Sequence, residues 1–154
     1  MVDKALFSSD SSEWETPQEL FDQLNVEFNF DVDVCAEANN AKCETYFDFI
    51  NDGLSQDWWL FRSCWCNPPY GKEIGLWIEK AVAESKIGAT VVMLLPARTD
   101  TKYFHRYIWN CEKHQTRPGV ELRFLKGRLK FGGAKNSAPF PSMVVIFKGG
   151  DQFD

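Results

Sequence analysis

The stretch CWCNPPYG, residues 64–71, closes an apolar run and opens a helical one, and the reading of the fold turns on it. Before it, WWLFRSCWC at 58–66 reads as a strand running straight into the turn. After it, Ile74, Trp77, Ile78, Ala81 and Val82 recur at helical spacing and predict an amphipathic helix over 73–86. Next comes ATVVMLL at 89–95, a continuous apolar run closed by Pro96, which fits a strand buried on both faces. Buried strands with helical neighbours predict a parallel α/β sheet. Ligands of such sheets collect beyond the carboxyl ends of the strands. Three polar groups fall at those ends: Asp33–Ala36, Asn67–Tyr70 and Pro96–Asp100.

Working outward, WETPQELFDQL at 14–24 predicts a short helix. Thr16 suits its cap, Pro17 its first position and Glu19 the acid of a capping box, with Leu20, Phe21 and Leu24 as the apolar stripe. FNFDVDVCA at 28–36 alternates like a strand, a pattern unusual for a central parallel strand. EANNAKC reads as a turn, and ETYFDFI as a strand ended by NDG. A helix is expected near 101–112, with Tyr103, Phe104, Tyr107, Ile108 and Cys111 inward. ELRFLKG and SMVVIFK read as two late strands, joined by the glycine- and proline-rich GRLKFGGAKNSAPFP. Residues 1–13 read as a loose tail, and 14–154 as one domain. The interval from Asp33 to Asn67 has no room for a full set of strands and helices, so a pared-down sheet with reduced helices over 34–66 is expected.

Composition narrows the class. With 44% hydrophobic residues in 154, the chain can build a core. No apolar run has the length of a membrane span, and the N-terminus lacks the apolar region of a secretory signal. A cytoplasmic location is expected, and five cysteines without a regular framework fit buried thiols in a reducing compartment. Cysteines 35, 43, 64 and 66 raise a zinc reading. The pair Cys64-x-Cys66 is read as pointing opposite ways on a strand, and no metal is expected.

The net charge of −5 hides a polarised molecule. Residues 1–60 carry fourteen acidic and two basic side chains, whereas 98–135 carry ten basic and three acidic. Local potential, not the whole-chain sum, steers a polyanion. The basic segment is either a solvated surface or a nucleic-acid face. Arg128 and Lys130 alternate with Leu129 and Phe131 as in a half-buried strand, which leaves a phosphate-contacting face or a solvated edge.

The turn itself carries chemistry. Asn67 offers an amide oxygen, and Pro68 offers a carbonyl with no N–H. Pro68 and Pro69 restrict the backbone at successive positions. Tyr70 adds a flat face. Two acceptors converging beside an aromatic plate suit an exocyclic amine of a nucleobase. They hold both hydrogens and leave the lone pair aimed at an electrophile, so catalysis comes from positioning and fixed dipoles.

At this point the chain resembles the DNA adenine N6-methyltransferases, specifically the short phage-type Dam enzymes, over residues 14–148. NPPY at 67–70 resembles their amino-methyltransferase signature. The resemblance implies that Asn67 and the Pro68 carbonyl engage the target amine, with Asn67 also bordering the cofactor, while Tyr70 stacks on a flipped adenine. WETP at 14–17 resembles the segment that closes over S-adenosylmethionine, which implicates Trp14, Thr16 and Pro17. DVCA at 33–36 resembles the first cofactor motif, with Asp33, Cys35 and Ala36. Cys35 and Ala36 stand where the usual motif has glycines. DGL at 52–54 implies Asp52 toward the cofactor adenine with Leu54 beside it, and Glu37 or Asp48 toward its ribose. LLPARTDT at 94–101, GRLKF at 127–131 and FPSMVVIF at 140–147 also fit. The implied fold is a compact Rossmann-like methyltransferase, α/β, its sheet mostly parallel with a late antiparallel strand. The implied partner is double-stranded DNA, gripped by Arg98, Lys102, Arg128, Lys130 and Lys135 through small insertions near 98–105 and 123–138. A monomer or weak dimer is expected.

Taken from the residues alone, Asp33 is either a ligand residue or a surface acid, Trp14 either a site wall or a core cover, and Asp100 either a site residue or a helix cap. NPPY also suits methylation of an RNA amine or a protein glutamine amide. An α/β nucleic-acid-binding module that has lost its activity is a further alternative.

Overall fold

The structure, a computed structural model, describes residues 14–150. The tail expected at 1–13 lies outside the described residues. The elements in chain order are α1 (Gln18–Phe28), β1 (Val32–Asp33), β2 (Ser63–Cys66), α2 (Ile74–Lys86), β3 (Thr90–Pro96), β4 (Trp109–Asn110), β5 (Gln115–Thr116), β6 (Val120–Phe124) and β7 (Ser142–Phe147).

A five-stranded sheet runs in the order β1-β2-β3-β7-β6. The β1–β2 and β2–β3 pairings are parallel, and the β3–β7 and β7–β6 pairings antiparallel. Strand β7 therefore runs alone against four others, which makes the sheet mostly parallel with one late antiparallel strand. Strands β3 and β7 fill the sheet centre, and all of their residues but Thr90 are buried. That is why both read as unbroken apolar runs.

The helices lie on opposite faces. Successive residues of a strand point to opposite sides. Trp65 meets Phe21 of α1 edge-on, with ring centres 5.5 Å apart. Its neighbour Cys64 directs its thiol to the Trp58 carbonyl, and the Trp58 ring stacks 6.1 Å from Trp77 of α2. Cys64 and Cys66, two apart on β2, share a face, contrary to the sequence expectation.

Between β1 and β2 only two short 3-10 turns form, Gly53–Ser55 and Trp58–Leu60. Other elements depart from expectation. The strand read over 28–36 shrinks to Val32–Asp33, because α1 continues through Phe28 and ends at Asn29 in the left-handed region. ETYFDFI contributes a single bridge, Tyr46 to Asp33, and no full strand. The strand read over 58–66 is confined to 63–66. The helix read over 101–112 is a π-helical turn, Phe104–Ile108, followed by the β4–β5 hairpin; Cys111 is exposed there. Asn110 Oδ1 accepts from the backbone N–H groups of Glu112 and Lys113, so a local side-chain turn competes with the helix and wins. Residues 127–131 form no strand, although Arg128 and Lys130 are exposed and Phe131 is buried.

Candidate active site

Strands β1, β2 and β3 run parallel, so their carboxyl ends open on one edge of the sheet. Two cavities lie along that edge. The first, about 170 Å³, spans the ends of β1 and β2 and is lined by residues that include Thr16, Asp33, Cys35, Glu37, Trp65 and Asn67. The second, about 530 Å³, spans the ends of β2 and β3, with Tyr70, Gly71, Pro96, Arg98, Tyr103 and Phe140 in its walls. The turn 67–70 stands between them: Asn67, Pro68 and Pro69 face the first, and Tyr70 the second. Trp14 lines both.

Asn67 is held from the N-terminal side. Its Nδ2 donates to the Trp14 carbonyl at 2.5 Å and to Thr16 Oγ1 at 3.0 Å. A carbonyl only accepts, so the amide nitrogen must face Trp14. Asn67 Oδ1 is then left buried with no donor among the described residues. An unpaired buried acceptor costs about 1–3 kcal/mol. Thr16 does not cap α1 as expected; the N-cap is Pro17, which makes no side-chain capping bond.

Tyr70 is only 8% exposed. Its hydroxyl donates to the Leu94 carbonyl at 2.9 Å, which fixes the ring against β3. Burial holds this phenol well above its ordinary range. Its ring lies edge-on to Phe131 and Phe140, with centres 6.3 and 5.7 Å away, and Trp14 touches the same two rings at 5.3 Å each. The Gly132 N–H donates to the Glu15 carbonyl, tying the segment around 131 to the one around 14.

Asp33 is 2% exposed, which removes the surface-acid reading. Its carboxylate accepts from the backbone N–H groups of Cys35 at 3.2 Å and Lys42 at 3.0 Å. Burial outweighs these bonds and pushes its pKa up to about 6. Glu37 lies at the rim, and its Oε2 accepts from the Phe49 N–H. Of the residues expected around a cofactor, Trp14, Thr16, Asp33, Cys35, Ala36, Glu37 and Asn67 come together at the first cavity. Pro17, Asp48, Asp52 and Leu54 line neither cavity. Asp48 Oδ1 accepts from the Asn51 N–H, and Asp52 adopts φ 59 ahead of a 3-10 turn. Gly53 explains the DGL stretch structurally. A Cβ there would collide with the Val34 carbonyl oxygen.

Residues 4–152 match the family described as DNA N-6-adenine-methyltransferase (Dam). The chain belongs to that family. The DNA N-6-adenine-methyltransferase of Haemophilus phage HP1 (strain HP1c1) is 30% identical to it over 143 residues, 91% of this chain and 80% of the relative. That of Escherichia phage T1 is 29% identical over 92 residues, 59% of this chain and 38% of the relative. The putative methyltransferase YfdM of Escherichia coli (strain K12) is 33% identical over 64 residues, 38% of this chain and 70% of the relative. As a Dam-family member, the chain is a DNA N6-adenine methyltransferase.

The basic residues of this Dam-family chain divide into two sets. Arg98 lines the second cavity and sits 5.7 Å from the centre of the Phe140 ring. Lys102, Arg128, Lys130 and Lys135 are exposed. Arg123 and Arg117 are already engaged. Arg123 pairs with Glu27 at 2.7 Å and Glu121 at 2.6 Å, and the Arg117 guanidinium donates to the His105 carbonyl. No helix among the described residues is long and apolar enough to cross a membrane.

Trp65 and Phe140 line the cavities and Phe131 packs against Tyr70, and none of the three is among the candidate residues read from the sequence. Trp65 reads as the buried end of a strand, yet it lines the first cavity and its Nε1 is buried without a partner among the described residues. A signal is available, since the residue two before Asn67 shares its side of an extended chain. For Phe131 and Phe140 the stretches GRLKF and FPSMVVIF carry a resemblance but no local sign of a meeting with Tyr70. They meet Tyr70 only through the fold.

Proposed function

We propose that this methyltransferase uses the first cavity for S-adenosylmethionine and the second for an adenine flipped from duplex DNA, with the turn 67–70 as the wall across which the methyl group passes. The observation that carries this is Asn67 Oδ1, a buried acceptor with no donor among the described residues, on the wall between two cavities. The target amine supplies the missing donor.

The donor set of the first cavity fits the cofactor. Trp65 Nε1, a buried N–H with no partner among the described residues, suits a carboxylate. Glu37 at the rim suits ribose hydroxyls, and the bend after β1 with its small Ala36 leaves room for close approach. When bound, the cofactor supplies an electrophilic methyl group on a sulfonium. The chain's own residues do the rest. Asn67 Oδ1 and the Pro68 carbonyl hold both amine hydrogens, which turns the nitrogen lone pair toward the first cavity. The fixed dipoles of these acceptors stabilise positive charge as it grows on the nitrogen. As the nitrogen takes the methyl group the carbon–sulfur bond breaks with its electron pair left on sulfur, giving S-adenosylhomocysteine, and the extra amine proton is released to solvent.

Tyr70 and Phe140 flank the base. The Tyr70 ring is nearly covered and Asn67 Oδ1 is shielded, so admission of a base requires the Trp14–Phe131–Phe140 wall to move. Arg98, Lys102, Arg128, Lys130 and Lys135 contact the phosphates around the flipped nucleotide. The segments near 98–105 and 123–138 carry base recognition within one compact Rossmann-like domain. The phage relatives suit a reaction in an infected bacterial cell. Tritiated methyl transfer to unmethylated duplex DNA, followed by nucleoside analysis, should give N6-methyladenine. Label found only in RNA or protein would overturn the assignment.

A further inference from the structure

We propose that Thr16 is a positioning residue for methyl transfer. With the Trp14 carbonyl, its hydroxyl holds the Asn67 carboxamide in the one orientation that presents Oδ1 to the target amine. This rests on the adenine-methylation reading and assigns Thr16 a task distinct from holding the cofactor.

The two ends of a carboxamide have nearly the same size, so shape does not choose between them. Chemistry must choose. With the amide reversed, Nδ2 would meet the incoming amine donor to donor, and the amine would lose an acceptor. In the observed orientation both Nδ2 hydrogens are committed, one to the Trp14 carbonyl and one to Thr16 Oγ1. Oδ1 is buried without a donor among the described residues. Thr16 is itself 5% exposed, so solvent competes little for this bond. The sequence around it fits the task. Pro17 biases Thr16 toward extended backbone, and the hydroxyl, instead of capping α1, turns to a residue 51 positions away. The Trp14 carbonyl alone would satisfy one hydrogen and leave the amide free to swing. The Thr16 hydroxyl supplies the second point that fixes a plane.

Thr16 also lines the first cavity, so direct contact with the cofactor is the competing account. The test uses Thr16→Val, which keeps the shape and removes the hydroxyl, and Thr16→Ser, which keeps the hydroxyl. Two quantities are measured on the full chain: the single-turnover rate of methyl transfer to duplex DNA, and the Kd of S-adenosylhomocysteine by calorimetry. T16V should slow transfer about tenfold, the loss of one hydrogen bond at the transition state, while Kd moves by less than about threefold. T16S should recover most of the rate. In an Asn67→Ala background T16V should add no further loss, because Thr16 acts only through Asn67. A Kd weakened by the same factor as the rate, or an equal loss in the Asn67→Ala background, would overturn the proposal. So would a T16V rate equal to the native one. A native chain that forms no N6-methyladenine sinks the adenine reading and this proposal with it, whereas an unaffected T16V sinks this proposal alone.

Discussion

At the scale of single residues, the site is built from groups whose ordinary behaviour has been altered by burial. Tyr70 shows how this changes an expectation. Stacking needs only the ring, but the hydroxyl donates to the Leu94 carbonyl inside the core. Tyr70→Phe should therefore cost about 1 kcal/mol of stability with a modest loss of rate. Tyr70→Ala should cost about 3–5 kcal/mol and most of the rate, since it empties a ring-sized space. Chemical denaturation and transfer rates of the two variants check this, and equal losses would refute it. Asp33 gives a pH signature. Its folded pKa of about 6 lies above the ordinary value of 3.8, chiefly because it is buried. The folded state therefore holds the proton more tightly than the unfolded one between these values. Its contribution to stability is full below about pH 4 and is lost as pH rises through 6, a change of about 3 kcal/mol. The stability difference between the native chain and Asp33→Asn, followed from pH 4 to 8, should fall by that amount. A flat difference would mean that Asp33 stays charged throughout. The motif residues are legible in the sequence because their chemistry is local. Burial is not local. Nothing in DVCA says that Asp33 sits inside, or that Thr16 serves Asn67 instead of α1.

At the scale of elements, legibility follows the clarity of the periodic signal. Helix α2 and strands β3 and β7 are readable because one has a long apolar stripe and the others are buried on both faces. The alternation at 28–36 misleads because it is short and overlaps the end of a helix; Phe28 and Phe30 stack 5.8 Å apart, yet only Phe28 belongs to α1. The hairpin after the π-helical turn escapes the periodic reading, although Asn110 carries a turn signal. The segment 34–62 replaces helices with tight turns, and Gly53 is the point where it must pass close beneath the end of β1. Gly53→Ala should destabilise by about 3 kcal/mol, because its Cβ would collide with the Val34 carbonyl and the Trp77 ring. Gly75, inside α2 with open space around a Cβ, is the matched control. Gly75→Ala should raise stability by about 1 kcal/mol. Thermal melts of the pair test whether close approach or helix propensity governs each site; a Gly53→Ala melt at the native temperature would remove the packing argument.

At the scale of the whole molecule, both cavities and Arg98 lie along one edge of the sheet, and Lys102, Arg128, Lys130 and Lys135 are exposed. If Arg128, Lys130 and Lys135 meet phosphates, their joint replacement by Gln should reduce the slope of log K against log salt by about 0.9 for each phosphate no longer neutralised. Arg123→Gln should leave that slope unchanged, because its guanidinium is already shared between Glu27 and Glu121. Binding titrations between about 50 mM and 200 mM salt distinguish the two, and an unchanged slope in the triple variant would put those cations off the DNA. The polarity of the sequence shows where cations are concentrated, but it cannot separate cations bound within the protein from cations left exposed. The wall that Trp14 shares between the two cavities imposes a last condition. Any movement of that wall that favours one occupant alters the affinity for the other, and the two alterations are equal by thermodynamic necessity. The factor by which S-adenosylhomocysteine changes the Kd for DNA must equal the factor by which DNA changes the Kd for S-adenosylhomocysteine. Trp14 borders both cavities, so replacing it should change both factors together and by the same amount.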